Sequence, residues 1–378
     1  MKQGRELPRL LVALVGGGAG SVIGSSHRLA MRLTERFDLV AGAFDVDAAR
    51  GREFARSLHI SEDRIYGNVE SLIAAERKRP DPVDLVCVLT PNHTHFGIAK
   101  PLVEAGFNVM CEKPLTTRSE DAVTLADLVA RKGTLFAMMY GYTGYPMVRH
   151  ARDLIRSGRI GRIRLIHSEF SLGTPSTLQE DPQGHWRTKP GLSGESAVIG
   201  MVGTHALHLS TFVTGLELKE VSADCRTYVE GRLLEDNANM LLRFSEGATG
   251  MMWNSYVAAG TENGLRVRIY GETGGLEWNH VRPNELDLLT PGKPRQILTL
   301  ASREPVPGMQ GVSIAAVQPE GFVEAFANVY RDVADAIEAR SRGDSCSAFP
   351  DITDGALGVR FVSAAIRSSR DNARWTRL

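Results

Sequence analysis

The 378-residue chain has 44 lysine and arginine residues and 44 aspartate and glutamate residues, so its formal net charge is zero. A balanced charge argues against binding to nucleic acid or anionic membranes, and four dispersed cysteines argue against a disulfide framework or a metal site. The length predicts two domains, and 43% hydrophobic with 23% charged residues is typical of a globular protein.

The first residues are mostly polar, and the apolar run that follows them is short. This beginning resembles neither a signal peptide nor a membrane span, so we expect a cytoplasmic protein. Up to residue 145, short apolar runs alternate with helical patterns. We predict strands at 10–15, 39–44, 85–89, 109–111 and 134–140, with helices at 27–36, 48–58, 95–105 and 120–131. This alternation predicts an α/β fold with a doubly wound, parallel Rossmann sheet.

The pattern changes near residue 150, where consecutive strands replace the alternation. After a helix at 147–157, we predict strands at 162–170, 221–229, 237–244, 249–257, 265–270 and 276–278. Tight turns favour an open, mostly antiparallel sheet in an α+β domain. A long loop at 292–318 and helices at 320–340 and 354–368 follow. We expect a dinucleotide-binding domain at 1–145, a substrate and oligomerisation domain at 146–350, and a final helical segment at 351–378.

Residues 16–24 (GGGAGSVIG) join the first predicted strand to the first predicted helix. Glycines let a backbone turn tightly and approach a pyrophosphate, whose charge meets the free N–H groups at a helix start. The spacing departs from Gly-x-Gly-x-x-Gly, because Gly16 and Gly18 fit while Ser21 occupies the third glycine position. A plain tight turn is the alternative interpretation. The candidate dinucleotide contacts are Gly16, Gly18, Gly20, Ser21, Val22 and Ile23.

Two further strand ends are predicted at the same edge of the sheet. Asp45 ends the second strand, where a carboxylate accepts both ribose hydroxyls of NAD and repels the 2′-phosphate of NADP. This favours NAD, although Arg50 and Arg52 lie near enough to accommodate NADP. Asp45 could alternatively cap a helix, a role for which Asp47 is better placed. The next strand end supplies the candidate cofactor contacts Thr90, Pro91, Asn92 and His95.

Glu112-Lys113-Pro114 closes an apolar run at the end of another predicted strand. A lysine held there, beside a dinucleotide cleft, is placed to act on a bound substrate. Gly203-Thr204-His205 then supplies a histidine from the second predicted domain. In this order, the motifs resemble those of the glucose–fructose oxidoreductase/inositol dehydrogenase (Gfo/Idh/MocA) family over nearly the whole chain.

The resemblance implies catalytic roles for Lys113 and His205. Lys113 would lie near the nicotinamide and the substrate hydroxyl as a proton relay, its bond to Pro114 often being cis in the family, and His205 would be the general base. The family pattern Asp-x-Gly-x-His has Met201 at its aspartate position. Either another acid orients His205, with Asp236 as the candidate, or the chemistry is slower or different.

Other residues complete the site that the resemblance implies. Family members often carry Trp-Arg before the histidine motif, so Trp186 and Arg187 are expected near the cofactor, together with Glu112. Interdomain packing is the alternative for Tyr142 and Tyr145, and a structural position in the core or on the surface is the alternative for His205 and His208. The candidate substrate contacts are Lys113, Tyr142, Tyr145, His185, His205 and His208.

The resemblance implies NAD-dependent oxidation of a secondary hydroxyl of a sugar, a cyclic polyol or a glycoside. One alternative is a redox-neutral glycosidase that holds NAD tightly, and another is a non-catalytic NAD-binding protein in which Met201 marks a lost site. The expected partners are a small-molecule substrate and a second copy of the chain, in a homodimer or homotetramer formed through the open sheet face. The family also implies a C-terminal helix that returns to the first domain.

Overall fold

The computed structural model describes residues 9–173, 189–302, 318–344 and 349–378, and its first part is a five-stranded sheet. The strands are β1 (Leu10–Gly16), β2 (Phe37–Ala43), β3 (Leu85–Leu89), β4 (Val109–Cys111) and β5 (Phe136–Met138). Their spatial order is β2-β1-β3-β4-β5, and every neighbouring pair is parallel. The carboxyl ends therefore share one edge, and the order reverses between β1 and β3, where such sheets bind ligands. The predicted Rossmann sheet is confirmed.

Helices connect these strands: α1 (Val22–Thr34), α2 (Ala48–Ser57), α3 (Val69–Glu76), α4 (His95–Glu104) and α5 (Ser119–Lys132). Helix α1 begins after Ser21, whose Oγ accepts a hydrogen bond from the Gly24 N–H at 3.1 Å. Helix α5 ends at Gly133, which adopts a left-handed conformation with φ of 62°. The sequence analysis missed α3, which starts with a reciprocal capping box between Asn68 and Ser71.

The second part contains a nine-stranded sheet in the order β13-β12-β11-β10-β6-β9-β8-β7-β14. Its strands are β6 (Ile163–Ser171), β7 (Leu218–Arg226), β8 (Asn237–Phe244), β9 (Thr249–Ser255), β10 (Arg266–Gly271), β11 (Gly275–Asn279), β12 (Glu285–Leu289), β13 (Gln296–Thr299) and β14 (Thr376–Arg377). Only β6 and β9 pair in parallel among these described strands. Buried and exposed residues alternate along β8, so one face of the sheet is covered and the other is open. The mostly antiparallel sheet is confirmed.

The remaining helices are α6 (Pro146–Arg156), α7 (Pro190–Ser193), α8 (Thr204–Thr214), α9 (Phe322–Ser341) and α10 (Ile352–Arg370), and a π-helical turn, Ile199–Gly203, precedes α8. Helices α6 and α8 pack on the covered face of the second sheet. Helix α9 packs on the first sheet, where Tyr330 shares a core with Leu14 and Cys87. Helix α10 contacts both α5 and β7. The domain limits at residues 145 and 350 stay predictions, and α9, inside the second range, joins the first core.

One predicted loop was wrong in part. The segment 292–318 contains β13, which pairs with β12 at the sheet edge. Its residues are mostly exposed and lack the apolar alternation of a half-buried strand, so no period-2 signal marked it. Residues 303–317 of that segment lie outside the described residues. Within the described ranges, no helix combines the length and the apolar character needed to cross a bilayer.

Candidate active site

A cavity of about 370 Å³ lies at the carboxyl edge of the first sheet, between that edge and the second sheet. Apolar side chains form much of its wall, and a few polar groups converge on it, as is usual for small-molecule sites. Among its lining residues are Val22, Ile23, Glu112, Lys113, Tyr142, Met201, His205, Arg232, Tyr256 and Asn263. The sequence analysis missed Arg232, Tyr256 and Asn263.

Two glycines of the turn beside this cavity leave no room for a side chain. A Cβ atom on Gly16 would lie 2.6 Å from Thr90 Cγ2, and one on Gly24 would lie 2.4 Å from the Gly17 carbonyl oxygen. Gly24 therefore allows α1 to pack closely on the turn, which is the task of the third glycine in the usual fingerprint. Gly20 has a φ of 79° and open space where a Cβ would stand, so its backbone can be approached closely by a pyrophosphate.

The first turn of α1 continues the predicted cofactor surface. Ser21 uses its Oγ to cap the helix, so this side chain serves the fold. Val22 and Ile23 line the cavity, and Val22 is largely exposed. Free N–H groups at this helix start favour an anion.

Asp45 lies just beyond β2 and is not the cap of α2. Asp47 caps that helix by accepting hydrogen bonds from the Ala49 and Arg50 N–H groups. The Asp45 carboxylate instead accepts from the Arg50 guanidinium at 2.9 Å and from the Asp47 N–H at 2.8 Å. The hydrogen bond from Arg50 lowers the pKa of Asp45, so this carboxylate is ionised and can accept hydrogen bonds from ribose hydroxyls.

The loop after β3 is tied to the loop after β4 by a histidine. His95 Nδ1 lies 2.8 Å from the Pro114 carbonyl oxygen, and Nε2 lies 2.8 Å from the Thr90 carbonyl oxygen. Both ring nitrogens are thus occupied by the protein. His95 holds the two loops together, and the contact with the cofactor that we predicted for it is not supported by this geometry. Thr90, Pro91 and Asn92 lie at the carboxyl edge as predicted, with Asn92 buried.

Lys113 follows β4 and reaches across to the second part of the structure. Its Nζ donates a hydrogen bond to the Met201 carbonyl oxygen at 2.7 Å, and its backbone N–H donates to Glu112 Oε2 at 3.1 Å. The Lys113–Pro114 bond is cis. The ammonium group thereby points into the cavity from the edge of the parallel sheet.

Glu112 belongs to a buried chain of side chains that the sequence did not reveal. Its Oε1 lies 3.0 Å from His27 Nε2, and His27 Nδ1 lies 2.7 Å from the Tyr330 hydroxyl, 303 residues along the chain. Burial alone would raise the pKa of Glu112, but the hydrogen bond from His27 and the charges of His27, Lys113 and His95 together outweigh it and lower this pKa. An ionised carboxylate can only accept, so Nε2 of His27 donates to Glu112.

His205 lies in the first turn of α8, inside an aromatic cage. The ring of Tyr142 meets it edge-on at 4.9 Å between centroids, and Tyr140 and Phe170 also pack on it. Its Nδ1 is buried and has no hydrogen-bond partner among the described residues. Burial, reinforced by the Lys113 charge, holds the pKa of His205 well below 6.5. The ring is therefore neutral near pH 7 and can accept a proton.

Two residues that we predicted as substrate contacts, His208 and Tyr145, do not line the cavity. His208 stacks on Tyr140 at 4.1 Å between centroids, and its Nε2 lies 3.6 Å from Asp354 Oδ1. The Tyr145 hydroxyl lies 3.0 Å from His280 Nε2, within the core of the second part. The structure thus brings Lys113 and His205 to one cavity but places His208 and Tyr145 off its surface. His185, Trp186 and Arg187 lie outside the described residues.

Comparison with known proteins decides the family. Residues 10–140 match the family described as "Oxidoreductase family, NAD-binding Rossmann fold", and residues 148–277 match the "GFO/IDH/MocA C-terminal domain". The chain belongs to the Gfo/Idh/MocA oxidoreductase family.

Three relatives place the chain within the Gfo/Idh/MocA family. It is 36% identical to the uncharacterized oxidoreductase YfiI of Bacillus subtilis, over 96% of this chain and 95% of that protein. It is 27% identical to the levoglucosan dehydrogenase of Pseudarthrobacter phenanthrenivorans, over 75% and 76% of the two chains. The crystal structure of an inositol dehydrogenase homolog from Azotobacter vinelandii, complexed with NADH and myo-inositol, aligns with a TM-score of 0.92, 37% identity and 98% coverage of each chain.

Met201 stands at the aspartate position of the family pattern, and the structure does not place Asp236 as its substitute. The Asp236 carboxylate accepts hydrogen bonds from the Tyr228 and Val229 N–H groups at 2.9 and 3.0 Å, and from Arg232 at 3.2 Å. These contacts fix the loop between β7 and β8. The prediction that Asp236 orients His205 was wrong, because this carboxylate anchors Arg232 on the cavity wall instead.

The half-buried His280 makes a testable contribution to acid stability. Burial lowers the pKa of His280 from 6.5 to about 4. Below pH 6.5 the unfolded chain binds a proton that the native chain excludes, so stability is complete above 6.5 and is lost as the pH falls towards 4. In the His280→Gln variant, the urea midpoint of unfolding should fall less between about pH 7.5 and about pH 5 than it does in wild type. The same change at exposed His93 serves as the control, and an equal acid loss in both variants would contradict the assignment.

Proposed function

We propose that this Gfo/Idh/MocA oxidoreductase oxidises a secondary hydroxyl of a sugar or cyclic polyol with NAD. The observation that carries the proposal is the meeting of Lys113 and a neutral His205 on one cavity at the carboxyl edge of the parallel sheet. The names of two relatives support the substrate class, since one is a levoglucosan dehydrogenase and another was crystallised with NADH and myo-inositol.

The chain's own residues account for cofactor binding and for the movement of the proton. The side-chain-free turn at Gly16 and Gly20 fits a pyrophosphate, and the ionised Asp45 fits the adenosine ribose. When bound, NAD supplies the hydride acceptor. Lys113 Nζ exchanges its hydrogen bond to the Met201 carbonyl for one to the substrate hydroxyl oxygen, and a ring nitrogen of His205 accepts the hydroxyl proton.

Cofactor preference is testable at Asp45. Replacing Asp45 with alanine should raise the Kd for NAD roughly 10- to 100-fold, because two hydrogen bonds from ribose hydroxyls to a carboxylate are lost. The same change frees Arg50 from its ion pair, so NADP binding should be unchanged or stronger. Calorimetric titration of both cofactors measures this, with Asp47→Ala as a control that removes only the helix cap. Equal losses for NAD and NADP would rule out the ribose contact.

The activity is tested by following NADH absorbance with the purified protein, NAD, and a panel of inositols, aldoses, anhydrosugars and glycosides. NADH that grows in proportion to the substrate consumed supports the dehydrogenase. Cleavage of a glycoside without net NADH would replace it with a redox-neutral glycosidase. Cofactor binding with no turnover on the whole panel would leave a non-catalytic NAD-binding protein.

Oligomerisation and location stay predictions. The open face of the second sheet exposes apolar side chains, among them Leu165 at 43%, Leu241 at 49% and Met251 at 53%. Exposed apolar residues that share a face favour association with another copy of the chain. We expect a homodimer or homotetramer in light scattering, with Met251→Asp shifting it towards monomer. We also expect the protein in the cytoplasm.

A further inference from the structure

Two cavity residues from distant segments form a hydrogen-bonded pair. Tyr142 lies in the turn Gly141–Gly144 after β5, and Asn263 lies in the loop between β9 and β10. Asn263 Nδ2 donates to the Tyr142 hydroxyl at 3.2 Å, and both residues line the cavity. The role of this pair is not explained by cofactor binding or by proton transfer.

The pair leaves one acceptor and one donor unused. Asn263 Oδ1 is buried and has no hydrogen-bond partner in the part of the chain that the structure describes. Buried polar atoms are normally paired, so an orphaned acceptor on a cavity wall indicates a ligand donor. Burial raises the pKa of Tyr142 to about 12, so its hydroxyl keeps its proton and, having accepted from Asn263, can still donate.

We propose that Asn263, together with Tyr142, binds a second hydroxyl group of the substrate and determines specificity. A hydroxyl both donates and accepts, so it complements Asn263 Oδ1 and the Tyr142 O–H at once. Reversing the amide exchanges the two roles and still leaves one donor and one acceptor. This inference rests on the proposed function and narrows its substrate to one that carries at least one hydroxyl besides the oxidised one.

The geometry places this hydroxyl close to the reacting one. The Tyr142 and His205 rings are 4.9 Å apart between centroids. A single small substrate can therefore contact both side chains. An acyclic mono-alcohol lacks this group and would leave Asn263 Oδ1 unpaired, so it should be a poor substrate.

The test is a cycle between enzyme variants and substrate analogues. Wild type and Asn263→Leu are compared on the best panel substrate and on each of its monodeoxy analogues, by kcat/KM and by the calorimetric Kd with NADH-loaded protein. With wild type, we expect kcat/KM for one analogue to be roughly tenfold lower than for the parent substrate, mainly through higher KM and Kd. With Asn263→Leu, we expect the same analogue and the parent substrate to give equal values. Asn263→Asp keeps an acceptor and should restore the discrimination. Asn239→Leu, on the open face of the same sheet, is the matched control.

The outcomes separate this inference from the proposed function. If NADH forms but each removed hydroxyl lowers kcat/KM by the same factor in wild type and in Asn263→Leu, only the hydroxyl contact is overturned. If no compound yields NADH, the dehydrogenase fails, while the calorimetric cycle still decides whether Asn263 recognises a hydroxyl. If no polyol binds at all, the contact is overturned as well.

Discussion

Replacing Lys113 with alanine is expected to lower kcat by roughly 10²- to 10⁴-fold, the usual contribution of a positioned proton-transfer group. NAD should still bind, because the glycine turn and Asp45 lie elsewhere on the sheet edge. NADH absorbance measures the first effect and calorimetry the second. Lys100→Ala, on the surface of α4 beside Glu104, is the matched control and should turn over normally. An unchanged kcat for Lys113→Ala would remove the lysine from the mechanism.

The pH profile of the same variant gives a second readout. The Lys113 charge helps to lower the pKa of His205, so its removal should raise that pKa. His205 acts in its neutral form, so the acidic limb of the pH–activity profile should lie at a higher pH in the variant than in wild type. A merely structural loss would lower the activity without moving this limb.

The first sheet was predictable because its signals are local. Strand and helix runs alternate, and each strand ends in a turn whose residues carry the chemistry. The glycine turn shows where such reading stops. Ser21 occupies the position of the third glycine in the fingerprint, yet Gly24 makes the close contact between α1 and Gly17 that the motif requires. A linear pattern with fixed spacing does not show which glycine meets another backbone.

The missed residues share a physical reason. Arg232 and Asn263 come from loops between strands of the second sheet, and no motif or period distinguishes them from other polar loop residues. Tyr330 meets His27 only because α9 folds back over the first sheet from 303 residues away. Contacts of this kind depend on tertiary packing, which sequence periodicity does not encode.

Two residues that we predicted for the site, His208 and Asp236, have suitable side chains that do not line the cavity. His208 lies three positions after His205, so the two point to neighbouring sides of α8. Yet the Tyr140 ring stacks on His208 and also meets His205 edge-on, which puts one histidine at the cavity and the other against Asp354. Asp236 likewise has the right chemistry for a partner of His205, and backbone N–H groups hold its carboxylate elsewhere.

Replacing Asp236 with alanine is expected to destabilise the fold by about 3–5 kcal/mol, because it removes the carboxylate that pairs with a buried guanidinium. The side chains of Asp236 and Arg232 are only 1% and 5% exposed, so the pair lies in a largely desolvated position. The Tyr228 and Val229 N–H groups lose an acceptor as well. The urea midpoint measures the loss, and Asp224→Ala, which breaks an exposed pair with Arg226, should cost less than about 1 kcal/mol.

A double variant separates this anchoring role from a catalytic one. Adding Arg232→Met to Asp236→Ala should recover part of the stability, since the guanidinium that Asp236 pairs with is then absent as well. If Asp236 instead oriented His205, the double variant would stay as inactive as the single one even where its stability returned. Recovery of stability together with a kcat close to that of Arg232→Met alone is the expected result. It would show that the acid missing at Met201 is not supplied by Asp236, and that His205 works inside its aromatic cage without a carboxylate from that loop.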